Sequence, residues 1–279
     1  MTAIELIHGD CVEGMGRLRA GSVDLVVTSP PYNLDIKYGK YADRKTTGEY
    51  LNWAGAWARQ IRRVLKANGS FFLNLGAAPS NPLLPHRLAV ELAEIFVLQN
   101  TFHWIKSISV QTPDSQSLSV GHFKPLNSER YVTDCHEYLF HFTKTGDVKL
   151  RRLAVGVPYA DKSNIARWGH TGGRDLRCRG NTWFVPYQTI RDRRTQRPHP
   201  ATFPVALAEM CIKVHPMPRH GTMLDPFVGL GHAALAAQNC GVKKFLGFDI
   251  DAGYLARARE MLGRQGAVGA AMKSTKRLR

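Results

Sequence analysis

The tetrapeptide Ser29-Pro30-Pro31-Tyr32 is where the residue types of this chain first add up to chemistry. It follows a short apolar run, Asp24-Leu25-Val26-Val27-Thr28, which reads as a strand delivering its end into a crevice. The turn offers a hydroxyl, a backbone carbonyl and an aromatic face at one point, stiffened by proline. Such a set can hold a flat ring and accept hydrogen bonds from an exocyclic amino group. The plain structural alternative is a proline-stiffened turn with a buried tyrosine.

A second motif, Asp225-Pro226-Phe227-Val228-Gly229-Leu230-Gly231, lies between a short strand and a helix. Glycines at a strand-to-helix turn let the backbone approach a ligand closely. The spacing is neither the dinucleotide G-x-G-x-x-G nor a Walker loop, so phosphate is not its first ligand. The next apolar strand, Phe245 to Asp249, ends in an acid, where a ribose hydroxyl pair would be gripped. A third strand-end acid, Asp10 in His8-Gly9-Asp10, reads by itself as a helix N-cap. A tight turn with acidic caps would account for all three without a ligand.

The elements that must position these groups alternate. Residues 4–7 read as a strand, 12–18 as a helix and 22–28 as a strand. Residues 37–45 have no periodicity and read as a mobile loop. Thr46-Thr47-Gly48-Glu49 is a capping box, and the apolar spacing from Leu51 to Leu65 predicts a helix over 47–66. Strands at 70–75, 101–110 and 138–142, a helix at 86–98 and a loop at 111–130 follow. The alternation resumes with helix 204–214, strand 222–224, helix 232–240, strand 244–250 and helix 253–263. This pattern predicts a doubly wound, mostly parallel α/β sheet. Residues 145–197 interrupt it with 12 Lys+Arg against 4 Asp+Glu and interleaved Trp168, Trp183, Phe184 and Tyr187. They read as an inserted basic region between a half at 1–144 and a half at 198–264, with a flexible basic tail at 265–279.

The 279 residues carry a formal net charge of +16, which favours a polyanionic partner. Five scattered cysteines without paired spacing argue against a disulfide framework and a zinc site. Neither a signal peptide nor a membrane-length apolar run is visible, so a cytoplasmic setting without membrane contact is expected.

Taken together, Ser29-Pro30-Pro31-Tyr32, His199-Pro-Ala-Thr-Phe-Pro204 and Asp225-Pro-Phe-x-Gly-x-Gly231 resemble the amino-methylating DNA methyltransferases. The order, with the catalytic motif first, then a basic variable region and then the cofactor motif, is similar to the permuted β-group. The resemblance covers nearly the whole chain and implies a Rossmann-like methyltransferase fold with S-adenosylmethionine as cofactor. By position, it implies that Asp225, Phe227, Gly229 and Gly231 line the methionine part and that Asp249 binds the ribose hydroxyls. Asp10 would approach the adenine, Thr28 would join the cofactor set, and Phe203 with His199 and Thr202 would pack over the cofactor. Ser29, Pro30, Pro31 and Tyr32 would form the catalytic turn, with no metal. Ser29 Oγ and the Pro30 carbonyl would accept from the amine, Pro31 would stiffen the turn and Tyr32 would stack on the ring. The partner implied is double-stranded DNA, with the target base flipped out and the basic insert reading sequence. A homodimer and a cognate restriction endonuclease stay open. Serine in first place leans the resemblance toward N4 of cytosine, with N6 of adenine as the alternative. An RNA or protein methyltransferase and an inactive DNA-binding protein are more remote alternatives.

Overall fold

The computed structural model describes residues 2–36, 39–41, 43–79, 81–111, 116–121, 128–186 and 202–275. Its centre is an eight-stranded sheet. The strands are β1 (Ala3–His8), β2 (Val23–Thr28), β3 (Leu65–Leu75), β4 (Val97–Ile105), β7 (His136–Thr143), β8 (Thr182–Phe184), β9 (Thr222–Asp225) and β10 (Lys244–Asp249). Their spatial order is β1-β10-β9-β2-β3-β7-β4-β8. All neighbours pair in parallel except β7, which runs antiparallel to both β3 and β4. The doubly wound, mostly parallel sheet expected from the alternation is therefore present.

Helices cover both faces because consecutive strand residues are apolar, so both faces of the sheet must be buried. One core joins Val26, Phe71, Leu73, Leu224 and Phe248 to α1 (Cys11–Gly16), α2 (Thr47–Val64) and α3 (Leu84–Ala93). The other joins Leu25, Val27, Phe72, Met223 and Phe245 to α5 (Val205–Val214), α6 (His232–Asn239) and Leu255 of α7 (Ala252–Thr275). Residues adjacent along β2, β3, β9 and β10 thus serve opposite cores, as the two-residue period of a strand requires.

Several local expectations shift. The 111–130 segment is not all loop: β5 (Ile108–Gln111) and β6 (Ser117–Val120) form a two-stranded ribbon. Helix α2 stops at Val64 rather than at 66, and strand β3 starts at Leu65 rather than at 70. The basic insert holds α4 (Ser163–Arg167) and β8, and β8 joins the main sheet beside β4 with Trp183 fully buried. Helix α7 runs on to Thr275, through much of the stretch expected to be a tail. Within the 37–45 segment expected to be mobile, Asp43 is buried, and its carboxylate accepts from the amides of Asn33, Leu34 and Ile36 just before that segment. Asn33 holds a left-handed backbone at φ 58°, a conformation Asn tolerates better than most residues.

Candidate active site

Chain direction creates the cleft. From β2 the chain moves to β3 on one side, and from β9 it moves to β10 on the other, although β2 and β9 are paired neighbours. The connections leave in opposite senses, so a crevice opens at the carboxyl ends of these strands. It is lined by Gly9, Asp10 and Cys11 after β1, Ser29 to Tyr32 after β2, Pro226 and Phe227 after β9, and Asp249 to Asp251 after β10. Lys40, Tyr41, Trp53 and Tyr254 complete the wall.

On the β9–β10 side, Asp225 is fully buried and lies behind the lining. Thr28 Oγ1 donates to its Oδ1 at 2.5 Å and the Phe227 amide at 3.0 Å. Burial pushes the Asp225 carboxyl up to about 7, against these two donors. Asp249 is largely buried and its carboxyl is also raised by burial. It accepts from the Gly229 amide at 2.9 Å and the Asp251 amide at 2.8 Å. Each oxygen keeps a further lone pair for a ligand hydroxyl. Gly229 and Gly231 have φ of 50° and 83°, so both turn left-handed where glycine is the easy residue. Gly247 leaves room for Val228, since a Cβ there would fall 2.9 Å from the valine side chain. Asp10 is the helix cap that its context suggested, accepting from the Val12 and Glu13 amides, and it also lines the cleft.

On the β2 side the turn is braced from behind. Tyr50 Oη donates to the Pro31 carbonyl at 2.8 Å, while no described residue donates to the Pro30 carbonyl. Tyr32 is buried, and its hydroxyl lies 2.7 Å from Ser29 Oγ. The same hydroxyl receives from Asn74 Nδ2 at 2.6 Å and donates to Glu137 Oε2 at 3.0 Å. Glu137 also meets Lys106 Nζ at 3.3 Å.

The structure thus brings Asp10, Ser29, Pro30, Pro31, Tyr32, Phe227 and Asp249 to one cleft, with Thr28, Asp225, Gly229 and Gly231 supporting it. Thr202 is half-buried, and Phe203 does not line the cleft. The Phe203 ring is buried in the second core and its carbonyl accepts from His232 Nδ1 at 2.7 Å. His199 lies outside the described residues.

Sequence reasoning missed several wall residues. Trp53 was counted as part of the apolar stripe of α2, yet it faces Phe227 and Tyr41, with ring centroids 5.5 Å apart in each pair. Tyr41 sits in the segment without periodicity. Asn74 and Glu137 arrive from β3 and β7, and only strand order brings them together. Among the described residues no cluster suited to a metal ion is found. The five cysteines are unpaired, and burial raises the Cys11 thiol to about 12, which leaves it a poor nucleophile.

Several known proteins are similar to this chain in sequence or in fold. M.ScaI, a type II methyltransferase of Streptomyces caespitosus, is 29% identical over 256 residues, covering 90% of this chain and 78% of its own. M.BglII of Bacillus subtilis is 28% identical, covering 92% and 68%. The DNA adenine methyltransferase YhdJ of Escherichia coli K12 is 24% identical, covering 90% and 79%. Among solved structures, the cytosine-N4-specific PvuII DNA methyltransferase superposes with a TM-score of 0.66 at 20% identity, covering 93% and 86%. The complex of M1.HpyAVI with SAM superposes with a TM-score of 0.55 at 19% identity, covering 92% and 99%. Residues 23–260 match the family model of DNA methylases of the N6/N4 class, and the chain belongs to that family.

Proposed function

We propose that this protein transfers a methyl group from S-adenosylmethionine to the exocyclic amine of a base flipped out of double-stranded DNA, N4 of cytosine before N6 of adenine. The observation that carries this reading is that one cleft joins Ser29, Pro30 and Tyr32 on one wall to Phe227, Asp249 and Asp10 on the other. The acidic and aromatic wall suits the cofactor's chemistry. Asp249 has lone pairs for ribose hydroxyls, and Phe227, Trp53 and Tyr254 offer apolar surface to an adenine. The acids Asp10, Asp249 and Asp251 favour a cationic ligand. When bound, the cofactor supplies a sulfonium-activated methyl group.

The chain's own contribution is positioning. An exocyclic amine conjugated with its ring is a poor nucleophile. Accepting both its N–H groups, at Ser29 Oγ and the Pro30 carbonyl, favours the pyramidal nitrogen of the transition state. The Tyr50 bond to the Pro31 carbonyl holds the turn, so those acceptors are preorganised. The face of the Tyr32 ring offers a stacking surface. A base inside a duplex cannot reach this cleft, so the target nucleotide leaves the stack. The basic 145–197 segment supplies phosphate and base-edge contacts, in part through arginines outside the described residues. As in a type II system, a cognate restriction endonuclease would be the natural companion, and a second copy of this chain is the other candidate partner.

The test is to incubate the protein with labelled S-adenosylmethionine and unmethylated duplex DNA, digest the DNA to nucleosides and identify the product by mass spectrometry. N4-methyl-2′-deoxycytidine supports the reading in full. N6-methyl-2′-deoxyadenosine keeps the enzyme class and reverses the base. Absence of cofactor binding overturns the reading.

A further inference from the structure

Resting on that reading of Ser29, we propose that Glu137 is a positioning residue that makes the catalytic turn an acceptor-only site. Working through Tyr32, it turns the Ser29 hydroxyl proton away from the cleft and leaves the oxygen lone pairs to the substrate amine.

The argument is a count of protons. A carboxylate only accepts, so the Tyr32–Glu137 bond at 3.0 Å uses the single phenolic proton. The amide of Asn74 also donates to Tyr32 Oη, at 2.6 Å. The remaining contact, 2.7 Å between Ser29 Oγ and Tyr32 Oη, therefore has Ser29 as its donor. With its proton spent on Tyr32, Ser29 can only accept from a ligand. An amine-bearing ring offers N–H donors at the reacting position, whereas a ring with a carbonyl there offers another acceptor. The device accordingly favours cytosine and adenine over thymine and guanine O6 at the reacting position.

Asn74 supports this polarity at its own cost. Its Nδ2 also donates to Glu137 Oε2 at 2.7 Å, while its Oδ1 is buried without a hydrogen-bond partner among the described residues. Turning the amide over would set its oxygen against the Glu137 carboxylate, across the 2.7 Å that Nδ2 now spans. A buried acceptor left unmade is destabilising. Such groups in native structures call for a reason, and here the reason is the two donors that hold Tyr32 and Glu137 in place. Lys106 Nζ, at 3.3 Å from Glu137 Oε1, pairs with the other oxygen of the carboxylate that Tyr32 and Asn74 meet.

The experiment follows tritiated methyl transfer to genomic DNA from a host lacking amino-methylases, comparing wild type, Glu137→Gln, Tyr32→Phe and the double variant. An amide at position 137 can donate to Tyr32 and so reverse the chain. The expected result is that Glu137→Gln lowers kcat by at least about tenfold, with KM for S-adenosylmethionine and Tm near wild type. The double variant should be no worse than Tyr32→Phe alone, because Glu137 acts through that hydroxyl. Wild-type kcat in Glu137→Gln, or losses that multiply in the double variant, overturns the proposal. Should Glu137→Gln fail to fold, Tyr32→Phe decides by itself, since it keeps the ring and cuts the link: undiminished turnover overturns the proposal. A wild-type protein that labels no DNA overturns the underlying reading of Ser29, and this one with it.

Discussion

At the residue scale, the least expected group is the acid that never reaches the cleft surface. Asp225 is held by Thr28 and by the Phe227 amide, and burial still lifts its carboxyl to about 7. An aspartate in the unfolded chain titrates near pH ~3.9. Between those values the folded protein keeps a proton that the unfolded chain has lost. The stability owed to Asp225 is therefore present at low pH and falls as pH rises toward about 7. Asp225→Asn stays neutral throughout, so its Tm should gain on wild type by about 3 °C or more between roughly pH 5 and pH 8, measured without cofactor. A constant difference across that range would refute the assignment. Asp249 has the complementary role, since its carboxylate holds the Gly229 and Asp251 amides and also faces the cleft. Asp249→Ala should weaken S-adenosylmethionine binding by at least about tenfold and leave DNA binding nearly unchanged, as read by calorimetry and gel shift. Equal loss of both would indicate misfolding.

At the element scale, the site depends on how closely β3 approaches the catalytic turn. Gly76 directly follows β3, and a Cβ there would fall 2.9 Å from the Tyr32 ring and 3.3 Å from the Glu137 carboxyl carbon. Gly76→Ala should therefore displace Tyr32 and cut kcat by about tenfold or more, while cofactor affinity stays within about twofold; an unchanged kcat would show that the ring can give way. Helix α2 is fixed at its start by the reciprocal Thr46–Glu49 capping box, and it carries Trp53 to the cleft wall and Tyr50 to the back of the catalytic turn. Thr46→Ala should lower Tm by about 2–4 °C, the effect of losing a cap worth ~1 kcal/mol. This cap was legible in the sequence because it is local. The burial of Asp43 was not, because its carboxylate is satisfied by the amides of Asn33, Leu34 and Ile36, which no periodicity announces.

At the scale of the whole molecule, a net charge of +16 makes the polymer the natural partner and salt the natural antagonist. The logarithm of the DNA affinity should fall linearly with the logarithm of salt concentration, with a slope of magnitude about 4 or more. A slope near zero would remove phosphate contact from the account. Among the described residues no helix is long and apolar enough to cross a membrane. The basic segment also proves less separate than its composition suggests. Strand β8 extends the main sheet, with Trp183 buried and the Trp104 indole donating to the Val185 carbonyl. Composition registers charge, but not whether a short strand within a charged stretch finds a sheet edge.

What the sequence determined by itself was the layered architecture, the two strand-end motifs and their order. These rest on local facts: apolar periodicity, glycines at positive φ, and prolines and acids that follow strands. Tertiary structure decided which strands are neighbours. Only the pairing of β2 with β9 sets Thr28 against Asp225 and makes one cleft of two distant motifs. Only the reversal of β7 brings Glu137, the second residue of that strand, to the carboxyl edge where Tyr32 and Asn74 stand. Strand order and direction arise from long-range burial of both sheet faces, and no local spacing along the chain encodes them.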